Sequence, residues 1–305
     1  MTADVYAAQV ALLVRTIPEI AEEEAFALKG GTAINLFVRD LPRLSVDIDL
    51  VYLPISDRAY SLIGVREGLS RIAQRIRTRL GATVEEGVTK DGTKLNIRSG
   101  ATMVKIETSP VLRGTVFDPQ IMTVSDRVQE RFGYAEMNVV AFDDLYAGKI
   151  AAALDRQHPR DLFDIRFLLA NEGVTDRLFT AFVIYLISHN RPPDELLAPH
   201  LLPLEALYHG EYAGMTLENV SLAELHEARS TLIAEIGRRA RLSPVRDLLR
   251  SFYALEPNWR LLDVATDVSA LPAVRWKMQN LEKLRREQPA KFDAQINRLS
   301  SFLSR

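Results

Sequence analysis

In the stretch SVDIDLVYL (45–53), Asp47 and Asp49 stand one residue apart among apolar neighbours. Side chains alternate across a strand, so the two carboxylates share one face while Val46, Ile48 and Leu50 share the other. Their Cα atoms then lie about 6–7 Å apart, a spacing that suits two metal ions. Aspartate is depleted in strands, and two in the middle of an apolar one require a local reason. Mg²⁺ supplies one: it takes oxygen ligands in octahedral geometry and is held by one or two carboxylates together with water and substrate phosphates. The bland alternative is a half-exposed strand carrying two solvated acids. A third carboxylate, Glu107, closes the strand MVKIET. Beside the aspartates it would ligate metal or accept a proton from an attacking hydroxyl; elsewhere it is only a solvated strand end.

A second group of residues suits phosphate. Lys29-Gly30-Gly31-Thr32 would set glycine backbone and the N–H groups of a helix start where an anion can sit, although glycines before a helix also serve turns alone. Lys149, within a helical run of alanine, leucine and isoleucine, offers a compact charge for triphosphate oxygens or, on an exposed face, a solvated one. Asp161 and Asp164 sit near a helix start beside Pro159, where the helix dipole is an adequate account of Asp161; Arg156, Arg160 and Arg166 are available to pair with them. Arg71, Arg75 and Arg79 recur every four residues along a helix face. Residues 66–113 hold ten Lys/Arg against five Asp/Glu in a chain of net charge −2, so the row reads as a local phosphate track for RNA or as a solvated face.

The elements that would position these residues follow from periodicity and turn signals. Helices are expected at 6–23, 32–38 with Thr32 as N-cap, and 59–80 with Leu62, Leu69, Ile72, Ile76 and Leu80 as its apolar side. Strands are expected at 26–28, across SVDIDLVYL, and near 83–88, 94–98, 102–107 and 121–124, with Asp91-Gly92 turning a hairpin. Beyond Asn138 the pattern is helical: 143–154, 160–170, 176–188, 222–239, 244–253, 271–287 and 291–303. The architecture expected is an α/β domain with a mixed sheet over 1–140 and an all-helical domain over 141–305 that carries Lys149 and Asp161 near its start.

Composition removes several classes. The 305 residues contain no cysteine, which excludes disulfides, thiol nucleophiles and cysteine metal sites. The five histidines show no metal spacing, and Trp259 and Trp276 read as core anchors rather than base-stacking platforms. The longest apolar runs fall far short of the roughly 18 residues that span a bilayer, and the first residues lack a positive region before their apolar stretch. The expected location is the cytoplasm.

Taken together, KGGTAINLFVRDLPRLSVDIDLVYL (29–53) resembles the first signature of the nucleotidyltransferase superfamily, a Gly-Gly/Ser turn before a D-x-D strand. The form Arg-Leu-Ser-x-Asp-x-Asp-Leu ending at Leu50 resembles more closely the AbiEii/AbiGii, or MenT-like, toxins of type IV toxin–antitoxin systems. DDLYAGKIAAALDRQHPRDLFDIRFLL (143–169) is similar to that family's K-x-x-A…R-x-x-x-R-D-x-x-D segment. The resemblance implies a nucleotidyltransferase fold. It assigns phosphate binding to Gly30, Gly31 and Thr32, Mg²⁺ ligation to Asp47 and Asp49, completion of the site to Lys149 and Asp161, and less directly the third carboxylate to Glu107. It further implies transfer of a nucleoside monophosphate from an NTP to RNA, especially the 3′ end of tRNA, growth arrest, and a possible cognate antitoxin. Transfer to a small molecule or protein side chain, or nucleotide binding without turnover, are the alternatives.

Overall fold

Strand β1 (Phe26–Lys29) and strand β2 (Asp47–Tyr52) pair antiparallel and form the middle of a seven-stranded sheet. The computed structural model describes residues 3–89 and 92–305 and divides the chain into two compact units. The first runs to Leu145 and takes in Met215–Glu218; the second holds Tyr146–Gly214 and Asn219–Arg305.

In the first unit, helix α1 (Ala3–Ala21) precedes β1, and a single α-helical turn, α2 (Gly30–Ala33), continues as a π-helical turn over Ile34–Val38 before β2. Helix α3 (Arg58–Leu80) leads to β3 (Thr83–Thr89), β4 (Gly92–Ser99) and β5 (Thr102–Arg113). Strand β6 (Gln120–Thr123), helix α4 (Asp126–Phe132) and strand β7 (Glu136–Val139) follow. The strand order is β3-β4-β5-β2-β1-β7-β6, with β2–β5 and β1–β7 parallel and the remaining pairs antiparallel, so the sheet is mixed. The hairpin turn expected at Asp91-Gly92 falls outside the described residues at Asp91.

Ile48 and Leu50 are fully buried while Asp47 is exposed and Asp49 half-buried, as alternation requires; Val51, also buried, ends the pattern. Helix α3 buries Val65, Leu69, Ile72 and Ile76, whereas Leu62 and Leu80, expected on that side, are only half-buried. Gly64 and Gly68 let this helix lie close to the sheet, since a Cβ at either would overlap the Tyr52 hydroxyl or the Phe26 ring.

The arginine row of α3, expected to track RNA, is engaged in ion pairs within the first unit. Arg71 donates to both oxygens of Glu23 at 2.9 and 2.8 Å. Arg75 donates to Glu23 at 2.9 Å and to the Glu19 carbonyl at 3.0 Å. Arg79 pairs with Glu19 at 3.1 Å and with Glu22. These acids lie on α1 or just after it, so the row joins two helices through charge-assisted hydrogen bonds. The bond from Arg71 holds the Glu23 carboxyl below its usual range against the opposing effect of its burial. Arg75, the best shielded of the three, should therefore show its effect in stability: Arg75→Ala is expected to cost on the order of 1–3 kcal/mol in denaturant unfolding and to leave the salt slope of RNA binding unchanged. A shallower slope with undiminished stability would return the row to RNA.

The second unit is helical. Helix α5 (Phe142–Arg156), which belongs to this unit from Tyr146 on, is followed by α6 (Pro159–Ala170), α7 (Asp176–Ser188), α8 (Pro193–Leu197) and α9 (Glu205–Leu207), the last running into a π-helical turn over Tyr208–Tyr212. Then come α10 (Leu222–Ala240), α11 (Val245–Tyr253), α12 (Pro272–Glu287) and α13 (Pro289–Leu303). Helix α7 is apolar nearly all round and is buried, with Phe182 and Leu186 fully inaccessible. Ser221 and Glu224 form a reciprocal cap at the start of α10. Trp259 packs edge-on against Phe252, but Trp276 is 45% exposed and anchors no core. Among the described residues no helix is long and apolar enough to cross a membrane.

Candidate active site

The parallel register of β2 and β5 sets Asp47 opposite Lys105 and Asp49 opposite Glu107. Paired residues on neighbouring strands point to the same face, so three carboxylates and one ammonium share a patch of sheet surface. Lys105 Nζ lies 3.2 Å from Glu107 Oε1 and 3.9 Å from Asp47 Oδ1. Partial burial pulls the Lys105 pKa down, but Asp47, the hydrogen bond to Glu107 and the charge of Asp49 outweigh it and leave it raised, so the side chain is a firm cation. Lys105 is the residue that sequence reasoning missed. Its only local signal is its place two residues before Glu107, which assigns it the same face.

Gly30 has φ +78°, the left-handed region that glycine enters without strain. A Cβ there would overlap the Asp49 carboxylate, so the first residue of α2 and the second acid of the pair are in direct contact through the missing side chain. Gly31 makes similar room: a Cβ would fall 2.8 Å from Arg43 Nη2 and 2.9 Å from Ser45 Oγ. The glycines thus admit side chains of the adjoining segment. Thr32 is not the N-cap. That place is taken by Lys29, whose backbone is extended, and Thr32 is buried one turn inside. Its hydroxyl donates to the Asp47 carbonyl at 2.5 Å or to Ser45 Oγ at 3.1 Å. The Thr32 side chain ties α2 to the start of β2 and is not presented to a phosphate. Gly30→Ala is expected to destabilise by roughly 1–3 kcal/mol, from left-handed strain and from displacement of Asp49, and to lower activity through that displacement. Wild-type melting and turnover in this variant would show that the contact is slack.

The second unit brings Lys149 and Asp161 together. Lys149, only 7% exposed, donates to Asp161 Oδ1 at 2.8 Å and pairs with Asp164 Oδ2 at 3.0 Å. Arg156 adds contacts to Asp161 at 2.6 and 3.0 Å. Two cations thus face two carboxylates. Burial alone would raise the Asp161 pKa, but Lys149 and Arg156 overcome it and hold the carboxyl well below its ordinary value. The bland account of Asp161, a helix-dipole acid, is therefore incomplete: α6 begins two residues earlier, yet the side chain is turned inward onto Lys149. His158 caps the same helix by accepting from the Arg160 N–H at 3.1 Å.

Oxygen donors on one face suit a hard divalent cation, and the Lys105 ammonium beside them shows that the patch accepts positive charge. Among the described residues no three acidic or imidazole groups converge closely enough to hold a metal by themselves. A cation here would take further ligands from outside the chain, as Mg²⁺ bound through substrate phosphates does.

No curated protein gives a significant match. Among solved structures, MenT4, a nucleotidyltransferase toxin from Mycobacterium tuberculosis H37Rv, matches with a TM-score of 0.59 at 14% identity, over 98% of this chain and 95% of that one. This likeness shows a shared fold. Terminal uridylyl transferase 4 from Trypanosoma brucei matches with a TM-score of only 0.29 at 14% identity, over 95% of this chain and 93% of that one, and bears no weight. A family profile described as nucleotidyl transferase AbiEii toxin, type IV TA system, covers residues 11–280. The chain is a nucleotidyltransferase and belongs to the AbiEii toxin family of type IV toxin–antitoxin systems.

Proposed function

We propose that this enzyme moves a nucleoside monophosphate from an NTP onto a hydroxyl of RNA, with the 3′ end of tRNA as acceptor, and that growth arrest follows from the modified RNA. The observation that carries the reading is the register of Asp47 and Asp49 against Lys105 and Glu107 on one sheet face, with Gly30 under Asp49. The acceptor oxygen forms a bond to the α-phosphorus, the bond from that phosphorus to the bridging oxygen breaks, and pyrophosphate leaves. Glu107 takes the hydroxyl proton. Asp47 and Asp49 would hold Mg²⁺, which when bound would supply charge neutralisation on the phosphates and a lower pKa for the attacking hydroxyl. Lys105, freed from Glu107 as substrate enters, pairs with the triphosphate, and the N–H groups of Gly30 and Gly31 favour the same anion. The antitoxin that the family description implies would act by limiting this reaction.

Incubation with total RNA and each α-labelled NTP in turn, with Mg²⁺ or with a chelator, tests the reading. Label is expected in tRNA-sized RNA for at least one NTP, and only with the divalent ion. Label on protein or on a small molecule would replace the acceptor, and no incorporation from any NTP would sink the transfer reaction. Lys105→Ala is expected to raise the KM for NTP about tenfold or more with a smaller change in kcat, because a charge-assisted contact to the triphosphate is lost.

A further inference from the structure

Strand β5 ends on a residue that the transfer chemistry does not use. Arg113 lies opposite Tyr52 of β2 and is only 6% exposed. Its Nε and Nη1 have no hydrogen-bond partner among the described residues. A guanidinium carries five N–H donors and keeps its charge in proteins, so arginine is rarely buried unless paired. The charged neighbour that acts on it is another cation, Arg58, with the Tyr52 hydroxyl as a weaker opposing influence; burial and that repulsion hold its pKa below the ordinary arginine value. Burial without a counter-anion is expensive and needs a compensating ligand.

Arg58 also opens α3, and this helix start is unusual. At 23 residues α3 is among the longest elements of the fold, yet its first turn contains no acidic residue, and the side chain of its N-cap, Asp57, makes no capping hydrogen bond. Its first N–H groups are thus left without a side-chain acceptor, and the one acid at this end is Asp57 itself. Tyr52 reaches the same helix, its hydroxyl lying against Gly64. A buried guanidinium with two unpartnered nitrogens and a helix start with a basic first residue and no side-chain cap thus lie at the same end of β2, near enough for the charge of Arg58 to act on Arg113.

We propose that Arg113, Arg58 and the first turn of α3 form a binding site for a phosphate oxyanion. The site lies on the α3 side of the sheet, about 17 Å along β2 from Asp47, and is separate from the carboxylate patch. One phosphoryl group meets its requirements: two negative oxygens for the guanidinium groups and a third acceptor for helix N–H groups. The phosphate of an RNA backbone and free inorganic phosphate share this chemistry.

Titration of the intact protein with inorganic phosphate, at constant ionic strength and without NTP or divalent ion, tests the site independently of the transfer reaction. Arg113→Gln is expected to weaken phosphate binding by about tenfold or more, and Arg58→Gln to weaken it several-fold. Arg113→Met, which removes the unpaired charge while filling the space, is expected to melt no lower than wild type in phosphate-free buffer and to lose the phosphate-dependent rise in Tm. A short single-stranded RNA identifies the source. If Arg113→Gln weakens RNA binding and makes its log–log salt slope shallower by about 0.7, the phosphate belongs to nucleic acid; unchanged RNA binding beside lost phosphate binding assigns the site to the free anion. Phosphate affinity equal to wild type in both Gln variants, or Arg113→Met melting lower with an undiminished phosphate response, would overturn the proposal.

Discussion

Asp49→Asn is expected to lose nucleotide transfer by at least about 10³-fold while remaining folded. The amide keeps the volume and shape of the carboxylate over Gly30, so the backbone of α2 has no reason to move. What disappears is the charge. With Asp49 neutral, the patch retains Asp47 and Glu107, and Lys105 already stands between these two at 3.9 and 3.2 Å. The surplus negative charge of the face, three carboxylates against one ammonium, is then halved, and the remaining pair is already engaged by Lys105, which leaves little to hold a hard cation. Stability should be unchanged or slightly improved, because the substitution relieves repulsion among acids sharing one face. Asp47→Ala is expected to behave similarly. Steady-state transfer and thermal melting, run side by side, decide the matter: turnover within about tenfold of wild type in a folded Asp49→Asn protein would show that the aspartate pair is not the metal-bearing centre.

The other large effect is expected from Lys149, and it is an effect on stability. The family resemblance gives this lysine a substrate role that would leave the fold indifferent to its loss. Its position at 7% exposure between Asp161 and Asp164 argues otherwise. Removing one member of a buried ion-pair network leaves the others uncompensated, so Lys149→Met is expected to cost about 3–5 kcal/mol, a large share of the roughly 5–15 kcal/mol that holds a domain together. Asp161 is depressed in the folded protein, so its contribution is fully present above its unfolded pKa and is lost only as pH falls through the lower folded value. Without Lys149 the folded value rises, and acid unfolding should begin at a higher pH. Combining Lys149→Met with Asp161→Asn should recover part of the loss, because the exposed imbalance is then smaller. If Lys149→Met melts like wild type but binds NTP poorly, the ion-pair account fails and the triphosphate role stands.

The acidic strand was legible because its information is local. Alternation over SVDIDL places both acids on one face whatever surrounds them, and Gly-Gly ahead of a helical run marks a turn by itself. The later helices, 176–188 and 222–239 among them, were read within a residue or two for the same reason: an apolar stripe and its caps lie within a single segment. Strand β7 was missed. It is four residues long and is defined by its neighbours, β1 on one side and β6 on the other, rather than by its own pattern.

Partnership is what the tertiary structure decided. That Glu107 stands beside Asp49, and Lys105 beside Asp47, depends on the parallel register of strands nearly sixty residues apart in sequence, and a shift of one residue would turn both to the other face. A row of arginines four apart looks the same whether it awaits RNA or faces another helix; only the packing of α1 brought Glu19, Glu22 and Glu23 against Arg71, Arg75 and Arg79. Lys149 was singled out by type and setting, but whether its charge met solvent, substrate or buried acids rested on how α6 folds back on α5. Charge and periodicity belong to the chain, whereas the identity of the opposing charge is set by contacts distant in sequence.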